Sequence, residues 1–227
     1  MRGRFVTFEG GEGSGKSTQL LRLAARLRER GQDPLVTREP GGTPVAEGIR
    51  ALLLDPALEP TAVAEALLME AARAELVATV IRPALEAGRI VMCDRYTDST
   101  LAYQGAGRGL DLGLLRQWNR VATGGLAPDL TLLFDLDPRI GLSRRSGAAG
   151  VPNRLDRESL DFHTRVRGQY LELARAEPGR FAVIPASQPP EAIEAAAWAA
   201  LSDRLASVGQ PGAKPGPGSR GTRAPVL

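Results

Sequence analysis

Cysteine occurs once in the 227 residues, at Cys93, which excludes an intrachain disulfide and any zinc site built from cysteines alone. Histidine also occurs once, at His163, so a metal held by this chain is expected to sit among oxygens. Lysine is nearly absent: of 29 basic residues only Lys16 and Lys214 are lysines. Whatever bias replaced lysine with arginine spared Lys16. No uncharged apolar run approaches the roughly 18 residues of a membrane helix, and the N-terminal apolar stretch is too short for a secretion signal. These absences lead to the expectation of a cytoplasmic protein with no membrane partner.

What is present is an ordinary globular composition, 43% hydrophobic and 24% charged, enough to bury a sizeable core. The net charge of +3 would suggest a nucleic-acid partner if it were spread over the body. It resides instead in Lys214, Arg220 and Arg223, so subtracting those three leaves residues 1–208 at zero, and no nucleic acid is expected. Residues 209–227 hold five glycines and four prolines and read as a disordered tail behind a single domain over 1–208.

Within that domain, short apolar runs alternate with stretches of helical period. Arg4–Phe8, Pro34–Thr37, Arg89–Cys93, Leu130–Leu136 and Arg180–Ile184 read as five strands. Lys16–Arg30, Thr43–Leu54, Thr61–Glu86 with a kink at Pro83, Asp111–Thr123, Arg154–Ala176 and Glu191–Leu205 read as helices. Strands apolar on both faces and separated by helices imply an α/β fold, a parallel sheet covered on both sides, with ligands at the carboxyl ends of its strands.

Directly after the first strand, Gly10-Gly11-Glu12-Gly13-Ser14-Gly15-Lys16-Ser17 satisfies the phosphate-loop pattern in its required strand-to-helix context, making the fold P-loop NTPase-type. The glycines let backbone N–H groups wrap an anion, Lys16 reaches the β and γ phosphates of ATP, and Ser17 ligates magnesium. No lysine remains for the base-reading motif of a GTPase, and no transporter signature is present, which leaves a small kinase. Asp94-Arg95-Tyr96 ends the third strand, where an acid and an arginine can meet magnesium and an acceptor phosphate. Met69 and Arg73 lie one turn apart on one helical face. Lone His163 reads as a solvated side chain, Cys93 as core, and Trp118 and Trp198 as core or interface anchors.

Taken in order, Glu9–Ser17, Thr37–Thr43, Ala71–Arg73, Asp94–Tyr96, Ser99–Gly105, Arg108–Asp111 and Pro128–Thr131, with the arginine-rich stretch near residues 144–157, closely resemble the thymidylate kinase family. The resemblance implies transfer of the γ-phosphoryl of ATP to dTMP on a five-stranded parallel sheet with a small lid at about 142–157, usually in a homodimer. It implies that Arg95 and Arg50 hold the dTMP phosphate, Arg73 the thymine carbonyl, and Thr100 or Gln104 the ring N–H. Tyr103 would crowd the ribose 2′ position, Glu12 would bind the 3′-OH, and Asp94 with Glu9 would orient magnesium through waters. Among the lid arginines, Arg154 is expected at the transferring phosphate and Arg144 against adenine. The family often places an aromatic ring where Met69 stands, and an acid one type longer than Asp156 after Arg154. Rival readings are a deoxynucleoside kinase of the same fold and a non-catalytic ATP-sensing module.

Overall fold

The computed structural model describes residues 2–146 and 158–206. The strands are β1 (Phe5–Gly10), β2 (Leu35–Arg38), β3 (Val91–Asp94), β4 (Leu130–Asp135) and β5 (Phe181–Pro185). They form one parallel sheet in the order β2-β3-β1-β4-β5, with Phe5 opposite Val91 and Val6 opposite Leu130. All five expected strands are present, shifted by one or two residues. β1 is central and every one of its residues is buried, the polar Thr7 and Glu9 as well as the apolar Phe5, Val6 and Phe8.

Period-two alternation sends side chains to the two faces of the sheet, where three buried clusters form. Val6, Phe8, Leu130, Leu132 and Phe134 pack under α1 (Lys16–Arg28), through Leu20, Leu23 and Leu27, and under α9 (Pro190–Ala206), through Ile193, Ala197 and Leu201. Phe5, Val91 and Cys93 face α3 (Ala62–Leu76), through Leu76. Leu133 faces α8 (Leu160–Ala176), through Val166, Tyr170 and Leu173. The remaining helices are α2 (Pro44–Leu54), α4 (Arg82–Glu86), α5 (Thr97–Thr100), α6 (Leu112–Thr123) and α7 (Pro138–Ser146). None of the described helices is long and apolar enough to cross a membrane.

Several expectations need correction. The helix expected over Thr61–Glu86 is interrupted by a π turn at Val77–Ile81, with the Arg82 N–H bonded to the Val77 carbonyl five residues back. Pro83 cannot donate to the ladder, and the widened turn ahead of it takes up the mismatch. The helix expected from Arg154 begins at Leu160, where Ser159 Oγ accepts from the Phe162 N–H at 3.2 Å. Arg154 itself, and with it most of the expected lid and the tail, falls outside the described residues. α7 and α5 were not anticipated. α5, which carries the β-branched Thr97 and Thr100, runs into a π segment at Leu101–Gly107 that holds Gly105 and Gly107, so local propensity gives no sign of it. His163 is 4% exposed, contrary to the solvated reading, and its imidazole stands edge-on 5.3 Å from the Phe162 ring.

Candidate active site

The loop between β1 and α1 is shaped by glycines with positive φ: Gly10 (144°), Gly13 (66°) and Gly15 (83°). At Gly10 a side chain is also excluded by space, since a Cβ would lie 2.5 Å from the Phe134 carbonyl oxygen on β4. Ser14 Oγ and Lys16 Nζ donate to the Gly11 carbonyl at 2.9 and 3.2 Å, which holds the loop around the lysine. The first turn of α1 carries no acid, so its partial positive charge stays available to an anion. Burial lowers the Lys16 pKa, helped by the charge of Arg95 and opposed by Glu12, Asp94 and Glu9.

Asp94 ends β3 beside this loop. Ser17 Oγ donates to Asp94 Oδ2, while Asp94 Oδ1 is buried without a hydrogen-bond partner. A hydroxyl and a carboxylate with one uncommitted oxygen suit a hard cation that keeps most of its waters, as magnesium does. Among the described residues no group of three or more acids, histidines or cysteines is placed to hold a metal ion.

Glu9 does not join Asp94 there. It is fully buried and absent from the cavity wall, its Oε1 accepting from the Tyr96 N–H at 2.7 Å and its Oε2 from Ser99 and Tyr170 hydroxyls at 2.6 and 2.8 Å. With both oxygens spent inside the protein, it holds the chain just after Arg95. Burial, aided by the charge of Asp98, raises its pKa to about 7.

Arg95 is the one described residue other than glycine with a positive φ, 72°. Two anchors maintain it: its own N–H donates to the Phe8 carbonyl at 3.0 Å, and the next N–H goes to Glu9. The turn points the guanidinium back to Glu12 Oε1 at 2.6 Å, the Tyr103 hydroxyl at 3.1 Å and the Gly10 carbonyl at 3.2 Å. Tyr103 also donates to Glu12 Oε1 at 2.9 Å. Burial would raise the Glu12 pKa, yet the Arg95 and Lys16 charges win and hold it at about 2.

These groups open onto a cavity of about 260 Å³ whose wall includes Glu12, Lys16, Ser17, Arg50, Met69, Asp94, Arg95, Tyr103 and Gln104. Arg50 reaches it from α2, with Nη1 donating to the Pro40 carbonyl at 2.8 Å. Most of the residues singled out from sequence therefore meet in one place. Arg73 and Thr100 do not line it. Arg73 is fully buried, donating to Glu39, Glu70, Thr100 and Asn119 side chains and to the Tyr96 carbonyl at 2.6 to 3.1 Å. A contact between Arg73 and a nucleobase thus requires one of these bonds to be exchanged. The same packing, outweighing the attraction of Arg73, raises the Glu39 pKa to about 7.

A second groove, lined by Gly13, Gly15, Lys16, Ser17, Thr18, Arg144 and Arg145, continues from the loop toward α7. Arg144 Nη1 donates to the Ala186 carbonyl at 3.2 Å and to the Gly13 carbonyl at 3.4 Å, so its observed post is at the rim of the phosphate loop. The sequence reading missed Arg38, Glu39 and Glu65 in the cavity wall. Arg38 and Glu39 lie inside a motif it had quoted, whereas Glu65 gives no local signal.

A thymidylate kinase family model matches residues 8–197. A thymidylate kinase of Deinococcus radiodurans is 56% identical over 203 residues, covering 89% of this chain and 98% of that protein. One from Thermomicrobium roseum is 58% identical over 200 residues, covering 88% and 94%. A solved structure of thymidylate kinase from Ehrlichia chaffeensis superposes with a TM-score of 0.73 at 33% identity, covering 89% of this chain and 99% of that one.

Proposed function

The chain belongs to the thymidylate kinase family, whose reaction is phosphorylation of dTMP to dTDP, and from that premise we propose how its residues divide the work. ATP is the donor. Its phosphates lie along the second groove, wrapped by the backbone of Gly11–Gly15 and met by Lys16, whose charge follows the phosphoryl group as it transfers. Magnesium, when bound, neutralises phosphate charge, and Ser17 with Asp94 would hold it.

The acceptor dTMP occupies the cavity. Arg95 and Arg50 receive its phosphate, Glu12 accepts from the 3′-OH, Tyr103 closes the 2′ side, and Met69 and Gln104 face the base. The observation that carries this division is the Arg95–Glu12–Tyr103 cluster on the same wall as Lys16, which supports an acceptor that brings a phosphate and a sugar hydroxyl together. Arg73 and Glu9 serve as supports behind the wall. Arg154, outside the described residues, is the proposed cation for the transferring phosphate, and it is read by the kcat of Arg154→Ala.

A homodimer is proposed on the exposed apolar side chains of neighbouring helices, Leu52 on α2, Val63 and Leu67 on α3, and Leu114 and Val121 on α6. Sedimentation at micromolar concentration tests it. A cytoplasmic location remains part of the proposal. The test of function is to give the purified protein ATP and magnesium with dTMP, with thymidine, or with no acceptor. Appearance of dTDP from dTMP alone supports the assignment, while phosphorylation of thymidine points to a nucleoside kinase and ATP turnover without acceptor to a different machine.

A further inference from the structure

Glu65 is a buried carboxylate on α3 with no part in the reaction as laid out above. It lies on the wall of the acceptor cavity one turn before Met69, with Gln104 of the π segment on the same wall. Its Oε1 accepts from Gln104 Nε2 at 2.8 Å. Arg108 donates to the same carboxylate, from Nε to Oε1 at 3.3 Å and from Nη2 to Oε2 at 3.2 Å. Arg108 Nη1 lies 2.7 Å from Glu158 Oε1, ahead of α8.

The Gln104 side chain is 2% exposed, its amide nitrogen is spent on Glu65, and its Oε1 is buried without a hydrogen-bond partner. An acceptor in that state costs free energy that a donor on a ligand would recover. The amide cannot be turned round, because a carboxylate only accepts and the flipped form would set two acceptor oxygens 2.8 Å apart.

We propose that Glu65 is a positioning residue that locks the Gln104 amide with its carbonyl oxygen toward the nucleobase, and so selects among pyrimidines at the acceptor site. This rests on the reading of the cavity as the dTMP site. Thymine and uracil present an N3–H donor, which Oε1 accepts. Cytosine presents a bare N3 lone pair, which Oε1 repels, so a fixed amide rejects dCMP by leaving two acceptors face to face. Arg108 makes the lock stiff by holding both carboxylate oxygens, and Glu158 ties that arginine to the start of α8.

The test compares kcat/KM for dTMP, dUMP and dCMP between the wild type and Glu65→Gln, an isosteric change that lets the Gln104 amide rotate. The dTMP/dCMP ratio is expected to fall by about tenfold or more, and the dTMP/dUMP ratio to stay put, since those bases differ only by a methyl group remote from N3. Unchanged ratios overturn the proposal, and so does an equal fall in both, which marks a merely structural role. Gln104→Leu gives a second reading that does not depend on the Glu65 variant folding. It should lower the dTMP/dCMP ratio by itself, and combining it with Glu65→Gln should lower it no further; additive losses overturn the coupling. A wild type that makes no dTDP at all instead sinks the assignment of the cavity.

Discussion

Arg95 shows how much of the chemistry hangs on one backbone angle. Its positive φ turns the guanidinium from the sheet end into the cavity, where Glu12 and Tyr103 hold it ready. If Arg95 receives the acceptor phosphate as proposed, Arg95→Ala should weaken dTMP binding by roughly 2 kcal/mol or more while ATP affinity barely moves. Calorimetry with each nucleotide checks this, and equal losses for both would contradict the division of the site. Tyr103 has two separable properties, a ring that fills space and a hydroxyl that donates to Glu12 at 2.9 Å. Tyr103→Phe should keep the preference for deoxy over ribo acceptors, because the ring remains, yet raise the KM for dTMP several-fold as Glu12 loses a restraint. Competition between dTMP and its ribo counterpart reads the two effects apart, and a collapse of the preference would assign sugar choice to the hydroxyl.

At the level of elements, the decisive contact is between the phosphate loop and α7. They meet backbone to backbone: a Cβ at Gly141 would lie 2.2 Å from the Glu12 carbonyl oxygen, and one at Gly13 would lie 2.1 Å from the Gly141 carbonyl oxygen. Neither backbone can yield as a flexible side chain would, so Gly141→Ala should push the loop and α7 apart. Since displacements of about 1 Å at a reacting centre cost up to about a hundredfold in rate, kcat/KM for ATP should fall by tenfold or more with the fold retained by circular dichroism. Wild-type kinetics in that variant would mean that the loop is not braced by α7. This contact could not be read from sequence, because Gly141 belongs to no motif and the stretch around it, Pro138–Ser146, has little amphipathic pattern. The Thr97–Gly107 segment escaped for a different reason: its helix is held by tertiary bonds, among them Ser99 to Glu9 and Gln104 to Glu65.

Across the whole molecule, charge is placed unevenly in depth. Glu9 joins β1 to the Arg95 turn and to α8 through Tyr96, Ser99 and Tyr170. Its carboxyl has a pKa raised from 4.5 to about 7 by burial and by Asp98, which is itself held by Arg180. The folded protein therefore keeps that proton in a window where the unfolded chain has released it, so stability falls as pH rises from about 4.5 to about 7 and is level above. Glu39 behaves alike, and Glu12, lowered to about 2, acts in the opposite sense between about 2 and 4.5. The Glu9 share is isolated by comparison with Glu9→Gln. Urea unfolding of both proteins at about pH 4.5, 6 and 8 should show the wild type losing ground to the variant across that range. A pH-independent difference would show that Glu9 titrates as an ordinary carboxyl.

Sequence alone determined the class of fold, the strands, the phosphate loop and the family. These features depend on short-range pattern: period-two and period-3.6 apolar spacing, glycines where φ must be positive, and motifs held within a few residues of one another. Only the tertiary structure decided which polar residues line the cavity and which stand behind its wall. Glu9 and Arg73 looked like ligand contacts by motif, yet the packing spends their bonding groups inside the protein. Glu65 and Gly141 gave no local sign, and each acquires its part from a partner far along the chain, Gln104 for one and Glu12 for the other. The physical reason is that a side chain's role is set by the donors and acceptors left to it after folding, and those are counted only when distant segments meet.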